Sequence, residues 1–137
     1  MWVCDLVMSR SFLIENGKLT IDNFMENIIE EKSFRFAVRI VNLNKYLRFE
    51  KKETVLSKQL LRSGTSVGAN VAEAQQAQSR ADFVSKLGIA LKEATETKYW
   101  LRLLKETDYL SDTQFESVFQ DCDEVERILI SIVKSSK

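Results

Sequence analysis

The sequence lacks proline and histidine, and it contains only four glycines and two cysteines in 137 residues. Because proline breaks helices, its absence favours long uninterrupted helices. Without histidine the chain lacks the usual general base near neutral pH, and a Glu-x-x-His metal motif is excluded. Two cysteines are too few for a disulfide framework or a thiolate metal site, so we expect a cytoplasmic protein.

Long apolar runs are also missing, since no segment approaches the roughly 20 apolar residues of a membrane-spanning helix. Asp5 interrupts the apolar start of the chain, and no positive region precedes it, so we predict no signal peptide.

We expect one bundle domain over residues 25–137 after an N-terminal extension, residues 1–24. Asn16 and Gly17 lie between two apolar runs there and are typical of a β-hairpin. Alternatively, the extension is a non-native start, and translation begins at Met25.

The formal net charge is zero, but it is unevenly distributed. Residues 1–31 hold 2 basic and 6 acidic side chains, a net of −4, and residues 106–137 hold 3 and 8, a net of −5. Residues 32–105 between them hold 15 and 6, a net of +9. This distribution indicates either an anion-binding surface or acidic and basic helices that pair within one bundle.

Helical apolar periodicity predicts an all-α protein, an antiparallel up-down-up-down four-helix bundle. We expect the first helix over residues 33–49, starting at Ser33 or about a turn earlier, and the second over 54–78. After a turn at 79–82 the third helix runs to residue 105, and the fourth covers 112–133. Ser79 or Ala81 is the expected cap of the third helix and Asp112 that of the fourth.

The apolar positions of three helices follow steps of three and four. The third and fourth helices each have one seam, and the first helix has two adjoining stripes that together predict a wide core face. The first helix has Phe36, Ile40, Leu43 and Leu47 beside Phe34, Val38 and Val41; the third has Phe83, Leu87, Ala90, Ala94, Thr97, Leu101 and Leu104; the fourth has Phe115, Val118, Cys122, Val125, Leu129 and Ile132.

The second helix is small and polar where a core is usually apolar. Its predicted seam is Leu56, Leu60, Ser63, Val67, Asn70 and Ala74. Gly64, Gly68 and Ala72 recur every four residues, which places them on one face. Since each glycine costs a helix about 1 kcal/mol, we predict that this face allows a close approach of two backbones.

A polar constellation joins the second and third helices. Its members are Arg62, Ser66, Asn70, Glu73, Glu93 and Glu96. We interpret it as a structural polar network or a subunit interface, with a binding site as the alternative. Carboxylates alone can hold hard cations, so a metalloenzyme is a further hypothesis. We nevertheless expect no metal, no cofactor and no catalytic residue.

Basic side chains form stripes on two helices. They are Arg35, Arg39, Lys45, Arg48 and Lys52 on the first helix, and Lys98, Arg102 and Lys105 on the third. Such stripes neutralise phosphates without recognising base sequence, so these eight residues are our candidates for nucleic-acid binding. A solvated helix face is the alternative explanation.

Several motifs resemble a known family. They are Ser33 and Phe34, the pattern Arg-Ser-x-x-Ser-x-x-x-Asn-x-Ala-Glu at 62–73, residues 83–90, and the run Glu-Ala-x-Glu-Thr-x-Tyr-Trp-Leu at 93–101. Over residues 30–133 the chain resembles bacterial four-helix bundles that include proteins encoded within intervening sequences of large-subunit ribosomal RNA genes. A relative of that family is the accessory variability protein of diversity-generating retroelements.

The resemblance implies a cytoplasmic bundle that assembles into a homopentameric ring or barrel. The retroelement relative binds nucleic acid and a reverse transcriptase through a basic surface. We therefore expect a non-enzymatic homo-oligomer, pentameric by resemblance, that binds RNA or a nucleoprotein partner. The alternative is a protein–protein assembly scaffold that binds no nucleic acid.

Overall fold

The computed structural model describes residues 21–136, with side chains from residue 24 onward. Four helices follow one another: α1 (Ile21–Phe49), α2 (Leu56–Ala74), α3 (Arg80–Glu106) and α4 (Asp112–Ser135). Each consecutive pair packs together, and α4 closes the bundle by packing against α1. The predicted all-α four-helix bundle is thereby confirmed. The predicted hairpin lies outside the described residues, except for Ile21, which is helical.

Two predicted helix ends were wrong. α1 begins at Ile21, so residue 24, our end of the extension, lies within this helix. Ser33 is not its cap: this buried side chain lies in mid-helix and donates to the carbonyl of Glu30. α2 ends at Ala74 and not at residue 78, because the following residues are mainly polar and offer little apolar surface to bury.

The caps of α3 and α4 explain where these helices begin. Ser79 caps α3, as predicted, and its hydroxyl accepts the Asp82 backbone N–H at 3.0 Å. The cap of α4 is Ser111, one residue before the predicted Asp112. Ser111 Oγ accepts the Gln114 N–H at 3.1 Å, and Gln114 Oε1 accepts the Ser111 N–H at 2.9 Å. This reciprocal capping box satisfies two backbone donors at once.

The core lies where the seams of α3 and α4 meet the inner faces of α1 and α2. Every residue that we placed in the α3 and α4 seams is buried. In α2 the prediction holds for Leu60, Ser63, Val67 and Ala74, but Val71 is buried in place of Asn70. The buried polar centre is a hydroxyl pair, in which Thr97 donates to Ser63 at 2.9 Å.

The two glycines of α2 confirm a close approach to α1. A Cβ at Gly64 would lie 2.8 Å from both γ carbons of Ile40, and one at Gly68 would lie 3.1 Å from the Ser33 carbonyl oxygen. Real Cβ atoms almost never approach another heavy atom as closely as 2.8 Å. The helix stability that glycine costs is therefore offset by the close packing of α1 on α2.

The wide core face predicted for α1 was wrong. Phe36 and Ile40 are buried, but the second stripe faces solvent: Phe34 is 64% exposed, Val38 45% and Val41 36%. Because α2 presents glycine and serine to α1, a narrow stripe of large side chains fills the space between the two helices. The second stripe remains uncovered on the outer face of α1.

No helix in the described part of the chain is long and apolar enough to cross a membrane.

Cys122 is buried in the seam between α4 and α3, and its thiol donates to the Ala94 carbonyl at 3.4 Å. Burial raises the pKa of this thiol to about 12, so it is protonated at neutral pH. Cys4 lies outside the described residues.

We predict that Gly64→Ala destabilises the bundle by about 1–3 kcal/mol, because the added methyl overpacks Ile40 by more than the gain in helix propensity. Gly88→Ala in α3 is the matched control, since its new Cβ meets nothing within 4 Å and should stabilise by up to about 1 kcal/mol. Urea unfolding of both variants measures the difference. Equal stabilisation by both would contradict the close packing of α1 on α2.

Candidate nucleic-acid interface

α4 is acidic and packs against both α1 and α3, the helices that carry the predicted basic stripes. Its carboxylates therefore meet cations on both sides. On the α1 side, Arg39 binds Asp121 and also donates to the Ser117 carbonyl and hydroxyl. Lys32 binds Glu124 at 2.7 Å. Arg35 binds Glu31 of its own helix at 3.0 Å. Arg35 and Arg39, two of the five cations predicted for the first helix, are thus already paired with carboxylates.

On the α3 side, Lys98 is the most enclosed of the predicted cations. Its side chain is 20% exposed, and Nζ lies 2.8 Å from Asp123 and 2.7 Å from Glu126. Burial alone would lower the pKa of Lys98, but the hydrogen bonds that its ammonium donates to these two carboxylates, and their negative charge, outweigh burial and raise it. The ammonium also lies 5.0 Å from the ring centre of Phe119. Lys98 therefore links α3 to α4 and is poorly placed to meet a phosphate.

Lys105 is also directed toward α4. Its ammonium lies 3.9 Å from Asp112 and 4.8 Å from the ring centre of Phe115. Arg102, in contrast, is exposed and has no ion pair within the described residues. The α3 stripe thus contributes one uncommitted cation, where the sequence predicted three.

The remaining cations gather where α1 turns into α2. Lys45, Arg48 and Lys52 were predicted, and Lys51 and Lys58 join them; we call these five residues the corner cluster. All five are exposed, and none forms an ion pair within residues 21–136. Residues 45–58 hold these 5 cations and 2 carboxylates, a net of +3. The stripe analysis missed Lys51 and Lys58 because it followed the first and third helices, whereas Lys51 lies in the link and Lys58 on α2.

Glu53 faces the protein interior and offsets little of the exposed charge. The residue is 8% exposed, and its carboxylate accepts the backbone N–H groups of Val55 (3.1 Å), Leu56 (2.9 Å) and Ser57 (2.7 Å). Burial would raise the pKa of Glu53, but these hydrogen bonds together outweigh burial and lower it. Glu53 therefore caps α2 as an anion, which leaves Glu50 as the one exposed carboxylate of residues 45–58.

The link itself has a defined conformation. Lys52 adopts a positive φ of 58°, and the next N–H, that of Glu53, donates back to the Leu47 carbonyl at 2.9 Å. Asn44 is buried and donates to the Ser57 carbonyl at 2.9 Å, which joins α1 to the first turn of α2. The corner cluster is therefore carried by a hydrogen-bonded turn.

A model of the 23S rRNA-intervening sequence protein family matches residues 25–131. The chain belongs to this family. A crystal structure from Bacteroides thetaiotaomicron VPI-5482, described as a protein of unknown function from the S23 ribosomal protein family, is 60% identical and has a TM-score of 0.80. The match covers 80% of this chain and 98% of that one. No curated protein matches significantly.

The two motifs that carry the family resemblance, at residues 62–73 and 93–101, meet on the surface between α2 and α3. Arg62 binds both Glu93 and Glu96, and the Trp100 indole N–H donates to Glu96 at 2.9 Å. Arg62 is 49% exposed, so this part of the predicted polar network is a surface cross-link between two helices.

The other members of the constellation do not join this cross-link. Ser66 donates to the Arg62 carbonyl and Asn70 to the Ser66 carbonyl, both within α2. Glu73 binds Lys86 at 3.1 Å. Since Glu73, Glu93 and Glu96 each bind a cationic side chain, they are not arranged around a common point. No group of three metal-ligating side chains was found in the described part of the chain.

We predict that Lys98→Met destabilises the bundle by about 1–3 kcal/mol, because Asp123 and Glu126 lose their shared partner. Arg102→Met is the matched control on the same helix, and its exposed side chain should change stability by less than about 0.5 kcal/mol. Thermal unfolding near pH 7 measures both. Equal effects would contradict the structural role of Lys98.

Proposed function

We propose that this protein is a non-enzymatic, cytoplasmic homo-oligomer that binds RNA through the corner cluster. The observation that carries the proposal is the set of five exposed cations left without ion pairs at one end of the bundle. These cations would neutralise phosphates of the RNA, and the release of counterions from the RNA drives such binding without recognition of base sequence.

Self-association is supported by the exposed apolar stripe of α1. Phe34, Val38 and Val41 follow steps of four and three, so they share one outer face of the helix, and each is at least 36% exposed. A second copy would bury these side chains by helix packing of the coiled-coil type. Five subunits in a closed ring is the number that the family resemblance implies.

An assembly scaffold without RNA is the second candidate. The observation in its favour is that Arg39, Lys98 and Lys105 are directed toward carboxylates of α4, so much of the basic charge is neutralised within the subunit. In that function the apolar stripe of α1 would serve assembly, and the corner cluster would serve only solubility. RNA titration separates the two candidates.

The RNA proposal predicts a salt-dependent affinity that rests on the corner cluster. A fluorescent, unstructured 12-nucleotide RNA should bind, and the logarithm of its association constant should fall linearly with the logarithm of salt concentration. Neutralising Lys45, Arg48 and Lys52 to Gln should reduce that slope by about 2, because each phosphate contact on a single strand contributes about 0.7. Fluorescence anisotropy at several salt concentrations provides the measurement.

The control replaces Lys92, Arg127 and Lys134 with Gln, which removes the same charge from exposed positions outside the corner cluster. This variant should keep most of the slope. If both triple variants lose it equally, RNA responds to overall charge and the assignment to the corner cluster is wrong. If the unmodified protein binds no RNA even at low salt, the scaffold becomes the better description.

The self-association proposal predicts that Val38→Glu lowers the mass in solution, because a charge would be buried in the contact between copies. Ile130→Glu is the matched control: Ile130 is 38% exposed on α4, close to the 45% of Val38. Light scattering should show a closed oligomer for the unmodified protein and the control, and a smaller species for Val38→Glu. A monomeric unmodified protein would refute self-association.

A further inference from the structure

An exposed aromatic side chain, Phe49, lies in the same corner segment as the corner cluster. Phe49 is the last residue of α1, and it is 60% exposed. The Arg48 guanidinium lies 5.3 Å from the centre of its ring. Lys45 lies one helical turn before Phe49, on the same side of α1. Val55, across the link, is 69% exposed. Cationic and apolar groups thus share one end of the bundle.

The backbone on both sides of Phe49 is hydrogen-bonded. The amide of Glu50, which follows it, donates to the Tyr46 carbonyl at 2.9 Å, and so does that of Lys51 at 3.3 Å. Leu47, two residues earlier, is fully buried and accepts from the Glu53 amide. A ring presented in this way loses little conformational freedom when a ligand covers it, so more of the contact energy remains for binding.

An exposed aromatic ring among cations suits a particular form of nucleic acid. In a duplex, each base is covered on both faces by its neighbours, and the deep, narrow major groove of A-form RNA excludes side chains. In a single strand or a loop, the base faces are available to stack on aromatic side chains while cations hold the phosphates. The combination of Phe49 with the corner cluster provides both contacts.

We propose that Phe49 stacks on an unpaired base of the bound RNA, so that the ligand is single-stranded RNA or an RNA loop and not a duplex. This inference rests on the proposed function, since the corner cluster must first hold the phosphate backbone. The stack adds affinity without base specificity, because every base has a π face. An anionic membrane would also attract cations and apolar groups, but the corner presents two large apolar side chains and no continuous apolar helix face.

The experiment compares three ligands at one salt concentration: a 12-nucleotide single strand, a duplex of equal length, and phosphatidylserine vesicles. Phe49→Ala is expected to weaken single-strand binding about tenfold and to leave duplex binding unchanged. Phe49→Trp should retain single-strand binding. Tyr99→Ala is the control, because Tyr99 is 57% exposed on α3, outside the corner cluster. Circular dichroism melting checks that each variant is folded.

Two further measurements distinguish stacking from a general effect on the corner. The salt slope of Phe49→Ala should equal that of the unmodified protein, since no phosphate contact is lost. A 2-aminopurine base in the single strand should be quenched on binding to the unmodified protein and less so with Phe49→Ala. If Phe49 instead held the corner in shape, its replacement would displace the cations, and the salt slope would fall together with the affinity.

Equal affinity for single strand and duplex, or full single-strand affinity of Phe49→Ala, would overturn the stacking inference while leaving RNA binding by the corner cluster intact. Loss of all RNA binding by the unmodified protein would overturn the proposed function as well. Vesicle binding that depends on Phe49, together with RNA binding that does not, would assign the ring to a membrane surface and would also overturn the inference.

Discussion

The close approach of α1 to α2 is the constraint on which much of this structure depends. Gly64 and Gly68 leave so little space that the Ile40 side chain and the Ser33 backbone fill it. Large apolar side chains are then needed only along a narrow stripe of α1, and the neighbouring stripe stays outside. The packing that holds the bundle together therefore also determines which apolar surface stays exposed.

Charge is distributed by the same topology. The chain folds the acidic α4 between the basic α1 and α3, so carboxylates such as Asp121 and Asp123 meet cations on both flanks. The cations at the end of α1 and the start of α2 form no ion pair within the described residues, and Glu53 is occupied by the backbone of α2. A protein with zero net charge thereby keeps a cluster of unpaired cations.

The sequence was sufficient to predict the fold because strict periodicity is a property of each helix alone. The α3 seam from Phe83 to Leu104 was correct at every position. Predictions failed where a neighbouring helix decides the outcome. Phe34 has the same spacing as a core residue, but no neighbouring helix covers its side chain, which is 64% exposed. Lys98 and Arg102 look alike in sequence, but only Lys98 is turned toward Asp123 and Glu126. The corner cluster was predicted only in part, because basic residues were sought along the first and third helices, whereas Lys51 lies in the link and Lys58 on α2.

The buried thiol of Cys122 has a consequence for following the motions of the bundle in time. Only a thiolate that reaches solvent reacts quickly with an alkylating reagent, and burial keeps the Cys122 thiol protonated at neutral pH. Labelling must therefore wait until α3 and α4 separate. The rate at which the peptide containing Cys122 gains mass therefore reports how often these two helices open.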